Sequence, residues 1–311
     1  MWDIFLNYLT NFPKYIFKHR IYIVLQPITS VCICSSNTYA PKQKESIESG
    51  FKTFRDFLIA NKVINEKLNW TFANGHLVLL GDFVDRDFST TQVLWFIYKL
   101  EQEAKEKGGT VHFILGNHEL KNMQGNFEST SPKYYHVASI LKKQQTELYG
   151  TNSFLGKWMS SKNTIEKING ILFTHGGIHP DLADYKINLD EVNQIIRSNY
   201  YKPYCPNPQK NIEQLLISSH KGIAWYRGYF KDDLTQEDVE RGLNKFDANS
   251  IVVGHTLQSK INTQFNGKVI GIDVKHPKDY SKSIPNQKSE GLLIENNQYY
   301  RVLHNGEKKE L

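Results

Sequence analysis

The sequence contains few cysteines: Cys32, Cys34 and Cys205 are the only three among 311 residues. Three cysteines do not supply the disulfide framework of a small secreted domain, and their spacing is not that of a zinc knuckle. Repeats and low-complexity tracts are also absent. With 40% hydrophobic and 23% charged residues, the chain is long enough to bury a large core, as one α/β domain or two smaller ones.

The sequence also lacks a block of basic residues, although its formal net charge is +6. Nucleic-acid-binding domains concentrate Lys and Arg in one patch, so this even distribution indicates no nucleic-acid partner. A mildly basic surface suits an anionic substrate, which is a weak indication of function on its own.

The N-terminus carries an uncharged segment. Apolar residues 21–34 (IYIVLQPITSVCIC) follow a basic group made of Lys14, Lys18, His19 and Arg20, and the next charge is Lys42. This order, with small residues before Pro41, is typical of a secretory signal peptide. We therefore predict that residues 1–40 are a signal peptide or N-terminal anchor; the alternative is a buried strand of the fold.

This interpretation of the N-terminus sets the expected location. It predicts an exported, periplasmic or membrane-associated protein, with a cytoplasmic location as the alternative. The apolar run is short for a membrane-spanning helix, and Pro27 interrupts it. Membrane association through the N-terminus is left open.

From about residue 50 the sequence alternates between helical and strand patterns. Residues 51–64 carry apolar side chains at helical spacing, and a capping box of Ser89 and Gln92 predicts the start of a second helix. Short apolar runs that end near a glycine predict buried strands within residues 76–80, 110–115, 170–177 and 250–256. The C-terminal runs predict short antiparallel strands. This order predicts an α/β fold with a layered sheet core, in which ligands bind beyond the carboxyl ends of the strands.

Four loops that follow these strands carry polar residues: GDFVDR (81–86), GNHE (116–119), THGG (174–177) and VGHT (253–256). They supply one carboxylate, one amide and two imidazoles, from Asp82, Asn117, His175 and His255. Such a mixed set of oxygen and nitrogen ligands suits Mn, Fe or Zn, and it does not suit Ca or a thiolate site.

Each of these loops has a simpler interpretation when it is taken alone. An aspartate after a strand is more often a turn or cap residue, and a histidine such as the one in VGHT is more often part of the core. The four loops together, in this order and each after a predicted strand, favour a shared metal site over coincidence.

The loops resemble the motifs of the calcineurin-like metallophosphoesterase superfamily, which run D-x-H, G-D-x-x-D-R, G-N-H-E, H-G-G and G-H-T. GDFVDR, GNHE and WYRGY (225–229) are more specifically similar to the phosphoprotein-phosphatase-type branch, and within it to the bacterial Shewanella-like phosphatases. The resemblance covers roughly residues 46–303. It implies a layered β-sandwich flanked by helices (αββα), with residues 41–311 as the catalytic domain of a phosphoester hydrolase.

The resemblance also implies residue roles. Asp82 would bridge two divalent metal ions, and three residues would complete the shell of the second ion: Asn117, His175 and His255. His118, oriented by Asp85, would be the general acid that protonates the leaving oxygen, since histidine can donate a proton near neutral pH. A metal-bound hydroxide would attack phosphorus while the cations stabilise the attacking and leaving oxygens.

Two arginines would bind the phosphate oxygens, Arg86 and Arg227. A planar guanidinium matches phosphate with two parallel hydrogen bonds. The simpler alternatives are a structural ion pair for Arg86 and, for Arg227, stacking on its aromatic neighbours Trp225, Tyr226 and Tyr229. The predicted substrate is a phosphorylated protein or a small phosphomonoester.

The first motif of the family, D-x-H, is missing. Aligning the predicted helix of residues 51–58 (FKTFRDFL) with the family places Ser46 and Glu48 at the aspartate and histidine positions. A serine hydroxyl is a poor substitute for a carboxylate on a dication, so we predict a weakened first metal site. Glu48 is either a ligand or a solvated acid favoured by the helix dipole. Asp87 is a second departure, since the family has glycine there.

Three interpretations follow from the missing motif. In the first, which we favour, the protein hydrolyses phosphomonoesters with one tight metal ion and one that is weak or absent. In the second it is a non-catalytic phosphate-binding pseudophosphatase or scaffold, and in the third its N-terminus has been altered relative to the family. An enzyme is favoured because a structural protein has no physical requirement for the retained set: His118, Asp85, Arg86 and Arg227.

Overall fold

A computed structural model describes residues 22–25, 49–86, 88–204, 211–231, 234–274 and 289–311 of the protein. The strands in these ranges are β1 (Tyr22–Leu25), β2 (His76–Leu79), β3 (Thr110–Phe113), β4 (Ile165–Ile168), β5 (Ile171–Thr174), β6 (Ser250–Val253), β7 (Asn262–Gln264), β8 (Val269–Gly271), β9 (Glu290–Glu295), β10 (Gln298–Leu303) and β11 (Lys308–Glu310). The helices are α1 (Ser49–Ala60), α2 (Thr90–Glu106), α3 (Asn117–Met123), α4 (Pro132–Ile140), α5 (Gln145–Tyr149), α6 (Phe154–Ser160), α7 (Leu189–Arg197), α8 (Ile212–Ile217), α9 (Gly228–Lys231) and α10 (Gln236–Asn244), with a 3₁₀ helix at Pro180–Asp184.

The strands form two mixed sheets. In the first sheet the order is β11-β10-β9-β1-β2-β3, and β1, β2 and β3 are parallel. In the second sheet the order is β4-β5-β6-β8-β7, and β5, β6 and β8 are parallel. Leu79 at the end of β2 pairs with Phe113 at the end of β3, and Thr174 at the end of β5 pairs with Val253 at the end of β6. The carboxyl ends of these parallel strands are therefore level, and the polar loops begin there.

The two sheets pack face to face, because each strand sends alternate side chains to opposite sides. Val78 of β2 lies in a buried cluster with Phe173 and Val252 of the second sheet. Leu77 and Leu79 lie instead in the cluster that includes α2. Burying one such side chain fully contributes about 1.5–3 kcal/mol. The predicted α/β fold with two packed sheets and helices outside them is confirmed.

Helix α2 begins where the sequence predicts but for a different reason. The N-cap residue Ser89 has φ −108° and ψ 10°, and its side chain makes no capping hydrogen bond, so the predicted capping box does not form. The helix instead buries one apolar face, which includes Val93, Leu94 and Ile97. Tertiary packing of this face, more than the cap, stabilises the helix.

The C-terminal strands differ in part from the predicted antiparallel arrangement. Strands β9 and β10 are antiparallel, as predicted. Strand β8 is parallel to β6, so the prediction is wrong there. Only β7, on the other side of β8, is antiparallel to it. Short apolar runs specify a strand but not the direction of its neighbour.

Strand β1 lies before residue 41, the predicted start of the folded domain, and that boundary stays a prediction. Tyr22–Leu25 lies inside the first sheet, parallel to β2 and antiparallel to β9. The alternative interpretation, a strand of the fold, holds for these residues, because a β-strand and the apolar run of a signal peptide have similar compositions. The predicted cleavage before Pro41 lies outside the described residues, and export stays a prediction. No helix in the described ranges is apolar over a bilayer-spanning length.

We expect removal of residues 1–40 to prevent cooperative folding, because β2 and β9 would each lose a hydrogen-bonded neighbour inside the sheet. A chain of residues 21–311 keeps β1 and is the matched control. Thermal unfolding followed by circular dichroism compares the two. An unchanged cooperative transition for residues 41–311 would contradict the placement of β1.

A single substitution tests the same strand in the full-length chain. Val24 pairs with Val78 on one side and with Leu292 on the other. Val24→Pro removes a backbone N–H inside the sheet, where proline is excluded, so we expect a large fall in melting temperature. Lys309→Pro in the exposed edge strand β11 is the control, and an equal effect of both variants would show that β1 is not an interior strand.

Candidate functional site

Four loops meet at the carboxyl ends of the parallel strands. Asp82 follows β2, Asn117 begins α3 after β3, His175 follows β5, and His255 follows β6. The close approach requires glycine at two points: a Cβ atom on Gly81 would lie 2.2 Å from the backbone nitrogen of residue 116, and one on residue 116 would lie 2.5 Å from Asp82 Oδ1. The glycines of GDFVDR and GNHE thus let these two loops touch.

The predicted metal ligands lie around one point. His175 Nε2 is 2.9 Å from Asn117 Oδ1, 3.1 Å from His255 Nδ1 and 3.2 Å from Asp82 Oδ2. All four residues are buried. Ligands held at about 2.0–2.2 Å from one cation lie about 3 Å from each other, so this set of donors fits a divalent transition-metal ion. Among the described residues, Asp82, His175 and His255 form the one such group of His, Cys, Asp and Glu side chains.

Two of the candidate ligands, Asp82 and His255, have the protonation states that metal ligation needs. For His175, burial acts to lower the pKa, but the charge of Asp82 outweighs it and raises that pKa, so a bound metal ion would displace a proton from this ring. Burial acts to raise the pKa of Asp82, but the neighbouring His175 and His118 outweigh it and hold that pKa well below its usual range. Burial, together with the charges of His175 and Arg227, lowers the pKa of His255 to about 2. An ionised carboxylate beside a neutral imidazole is the form in which both side chains bind a cation.

The predicted proton donor lies beside this cluster. His118 Nδ1 is 2.7 Å from Asp85 Oδ2, and both side chains are almost fully buried. Arg86 Nη2 is 2.9 Å from His118 Nε2. The backbone N–H of His118 donates to Asp82 Oδ1 at 3.1 Å. Because an arginine can only donate, Nε2 accepts here and Nδ1–H donates to Asp85. The two residues therefore form a dyad adjoining the candidate metal ligands.

The second predicted arginine also reaches the cluster. Arg227 Nη1 donates to the backbone carbonyl of His255, and Nη2 lies 3.5 Å from His255 Nδ1. Burial of the side chain lowers the pKa of Arg227, and the charge of Asp273 acts to raise it. The guanidinium group of Arg86 thus lies next to the proposed proton donor His118, and that of Arg227 lies next to the candidate ligand His255.

The site concentrates strained backbone. Four of its residues that are not glycine have positive φ angles: Asp82 (63°), Asp85 (70°), Arg86 (56°) and His255 (59°). Each such conformation costs about 1–3 kcal/mol, and it persists only where the surrounding structure determines it. The strain therefore lies in the loops that place the polar groups.

Glu119 is an important residue whose role the sequence reasoning missed. Its carboxylate accepts hydrogen bonds from the backbone N–H groups of Asp82, Phe83 and Gly116 at 2.6–2.9 Å, and it is fully buried. Burial and the charge of Asp82 raise its pKa to about 7. Glu119 thus joins the GDFVDR loop to the GNHE loop. The one local signal for it is a glutamate three residues after the N-cap Gly116, whose carboxylate accepts from the N-cap backbone N–H.

Ser46 and Glu48, at the positions of the first metal motif, lie outside the described residues. Asp87, the second departure from the family, does so as well. The position of β1 nevertheless extends the sequence argument. The family has its D-x-H motif after a strand, yet no aspartate or histidine occurs between Leu25 at the end of β1 and Asp56 within α1. The D-x-H motif is therefore missing whether the chain is aligned with the family by strand β1 or by helix α1.

Comparison with known proteins identifies the family. Residues 48–259 match the calcineurin-like phosphoesterase family, and the chain belongs to it. The match indicates a hydrolase that acts on phosphoester bonds, and the family uses divalent metal ions.

The individual relatives are phosphatases of the predicted branch. The chain is 29% identical over 223 residues to Shewanella-like protein phosphatase 1 of Plasmodium berghei, a match that covers 68% of this chain and 59% of that protein, less than two thirds of its length. Shewanella-like protein phosphatase 2 of Arabidopsis thaliana is 22% identical over 75% of this chain and 70% of its own. The solved cold-active protein-tyrosine phosphatase of a psychrophilic Shewanella species superimposes with a TM-score of 0.80 at 31% identity, over 94% of this chain and 80% of that one. The predicted resemblance is confirmed.

We expect Glu119→Ala to destabilise the metal-free protein by several kcal/mol. The substitution leaves three buried backbone N–H groups without an acceptor, and each costs about 1–3 kcal/mol. Urea denaturation in the presence of a chelator measures the change. Glu147→Ala is a matched control, because Glu147 occupies the same capping-box position in α5 but is exposed. Equal losses for both variants would refute the role of Glu119 as the link between the loops.

Proposed function

We propose that the protein is a phosphomonoesterase whose site holds one divalent cation firmly and a second one weakly or not at all. Asp82, Asn117, His175 and His255 would hold the firm cation. The observation that carries this proposal is the convergence of their donor atoms within 2.9–3.2 Å of His175 Nε2. Two of the groups that phosphate hydrolysis requires contact this set: the His118 backbone N–H donates to Asp82 Oδ1, and Arg227 donates to the His255 carbonyl.

The chain's own residues would perform the remaining tasks. When bound, the cation supplies positive charge and activates water for attack on phosphorus. Arg86 and Arg227 bind the phosphate oxygens, which displaces Arg86 from the Nε2 atom of His118. Once Arg86 has left, Nε2 takes up a proton from solvent, and the resulting imidazolium donates that proton to the leaving oxygen while Asp85 holds Nδ1–H and so fixes the orientation of the ring.

The weakly held cation is the one at the first metal site, and its weakness follows from the sequence of the N-terminal part. Residues 26–55 contain no aspartate and no histidine, and Ser46 and Glu48 stand where alignment by the helix expects them. The firm site keeps four protein ligands, whereas the other site keeps the shared Asp82 and at most the Glu48 carboxylate. Dication affinity falls with the loss of anionic and imidazole ligands.

A non-catalytic phosphate-binding protein is the second candidate function. The observation that favours it is the same loss of D-x-H, because two cations together stabilise both the attacking and the leaving oxygen. The complete dyad and both arginines favour the enzyme instead. The two candidates differ in turnover but not in phosphate binding.

The substrate class that we favour is phosphoprotein, including phosphotyrosine. The support is similarity to relatives that are named protein phosphatases and to a structure described as a protein-tyrosine phosphatase. The matched region covers only part of the first of these relatives, so the substrate rests on similarity and not on the geometry of the site.

We expect about one Mn²⁺ per chain after loading and desalting, because one complete set of ligands is present. Asp82→Asn should lower the bound metal to near zero. Two double variants each restore an aspartate and a histidine. Ser46→Asp with Glu48→His follows the alignment by the helix. Ile28→Asp with Ser30→His follows the alignment by the strand, because residue 28 comes three positions after Leu25, as Asp82 comes three positions after Leu79, the partner of Leu25. Mass spectrometry of metals on the variants identifies which pair, if either, raises the content to two. A content of two metal ions per unmodified chain would contradict the prediction of a weak first metal site.

Turnover of p-nitrophenyl phosphate with added Mn²⁺ tests the enzyme against the binding protein. We expect measurable hydrolysis, lowered about 10²–10⁴-fold by His118→Ala, because a positioned general acid contributes a factor of that size. The variant should keep its bound metal, since His118 is not among the ligands. Phosphate binding without turnover in the unmodified chain would support the pseudophosphatase. A His118→Ala variant as active as the unmodified chain would exclude His118 as the proton donor.

A further inference from the structure

Asp85 has two partners besides His118. While Oδ2 faces His118, the other oxygen, Oδ1, accepts hydrogen bonds from Asn122 Nδ2 at 2.8 Å and from Thr130 Oγ1 at 2.9 Å. Side chains of all these residues are buried, with 9% of Thr130 and 1% of Asn122 exposed. Each carboxylate oxygen therefore has its own partners.

Asn122 is part of the same helix as the proton donor. It lies one turn after His118 in α3, so both residues face the same side. Its Nδ2 also donates to the backbone carbonyl of His118 at 2.9 Å. Its Oδ1 lies 3.2 Å from Thr130 Oγ1. One amide thus connects the carboxylate of Asp85, the backbone of His118 and the hydroxyl of Thr130.

Thr130 comes from the segment of residues 124–131, which links α3 to α4. The same segment also contacts Arg86, the residue after Asp85: the backbone N–H of Arg86 donates a hydrogen bond to the carbonyl of Ser129 at 3.0 Å. The segment is itself fixed, since the carbonyl of Phe127 accepts from the backbone N–H of Thr130 at 2.9 Å and from the hydroxyl of Tyr135 at 3.0 Å. Two consecutive hydrogen bonds therefore attach this segment to Asp85 and Arg86.

The attachment occurs where the backbone is strained. Asp85 and Arg86 both have positive φ angles, a conformation that residues with side chains hold only when their surroundings determine it. A carboxylate also turns easily about its terminal torsion. Two donors on Oδ1 select one orientation, and that orientation directs Oδ2 at the Nδ1 atom of His118.

We infer that Thr130 and Asn122 are positioning residues of the proton-donating step: they fix the Asp85 carboxylate so that it orients His118. The inference rests on the proposed function, in which His118 protonates the leaving oxygen. Thr130 acts through Asp85, and Asn122 acts through Asp85 and through the backbone carbonyl of His118. Loss of the Thr130 hydroxyl then impairs proton donation and leaves phosphate binding unchanged.

The leaving group provides a readout that a merely structural role does not move. Phenyl phosphate has a poorer leaving group than p-nitrophenyl phosphate and depends more strongly on a proton donor. Thr130→Val keeps the shape but removes the hydroxyl. We expect it to lower kcat for phenyl phosphate about tenfold or more, to lower kcat for p-nitrophenyl phosphate less, and to leave KM for both nearly unchanged.

Three further variants serve as controls. Thr130→Ser keeps the hydroxyl and should restore kcat. Asn122→Ala removes the other donor and should give the same dependence on the leaving group. Thr164→Val removes an equally buried hydroxyl, whose partner is Asn193 Oδ1 at 3.3 Å, far along the chain from the dyad. It should change neither kcat. Equal losses on both substrates for Thr130→Val, or no loss, would overturn the inference.

A measurement without turnover separates the inference from the proposed function. Proton NMR of the full chain should show a downfield imidazole N–H signal for His118 hydrogen-bonded to Asp85, assigned by its absence in His118→Asn. We expect the signal to persist in Thr130→Ser and Thr164→Val and to broaden or vanish in Thr130→Val. If the unmodified chain hydrolyses neither substrate, the proposed function fails, and this signal still decides whether Thr130 fixes the dyad. An unchanged signal in Thr130→Val contradicts the inference.

Discussion

The contact between the buried carboxylate of Asp82 and the two imidazoles of His175 and His255 is the interaction on which the site depends. Asp82 follows a strand of the first sheet, and both histidines follow strands of the second sheet. Packing of one sheet on the other therefore brings these ligands together. A buried carboxylate is costly unless it is paired with charge. The His175 imidazole, whose pKa Asp82 raises against the effect of burial, supplies part of that charge, and a divalent cation would supply it when bound.

The loops around this contact are held in strained conformations by hydrogen bonds that converge on buried carboxylates. Glu119 accepts three backbone N–H groups of the two loops that carry Asp82 and Asn117. Asp85 accepts from one side chain of α3 and one of the following segment. These bonds offset the cost of the positive φ angles. The dyad and the metal ligands are consequently parts of one rigid framework, which gives precise placement to groups from distant parts of the chain.

The sequence predicted the parts of the site whose signal is local. A polar residue with a glycine beside it follows each strand at Asp82, Asn117, His175 and His255, and parallel strands bring such ends together. The contacts of Thr130 were not predictable, because its partner Asp85 lies 45 positions away in sequence and only the fold places it there. The pairing of β1 with β9 was not predictable either, because it joins opposite ends of the chain and no local pattern records it. Glu119 lay within a recognised motif, but the donors to its carboxylate are backbone N–H groups that the sequence does not specify.

We expect the site to bind one cation firmly, through ligands that follow strands of both sheets, whereas the complete set of family motifs would bind two. A crystal of the protein soaked in Mn²⁺ and measured at the manganese absorption edge tests this directly, because anomalous scattering locates the metal independently of activity. The account predicts a single strong peak within about 2.0–2.3 Å of the donor atoms of Asp82, Asn117, His175 and His255. The absence of a peak there, or a metal bound by other residues, would contradict it.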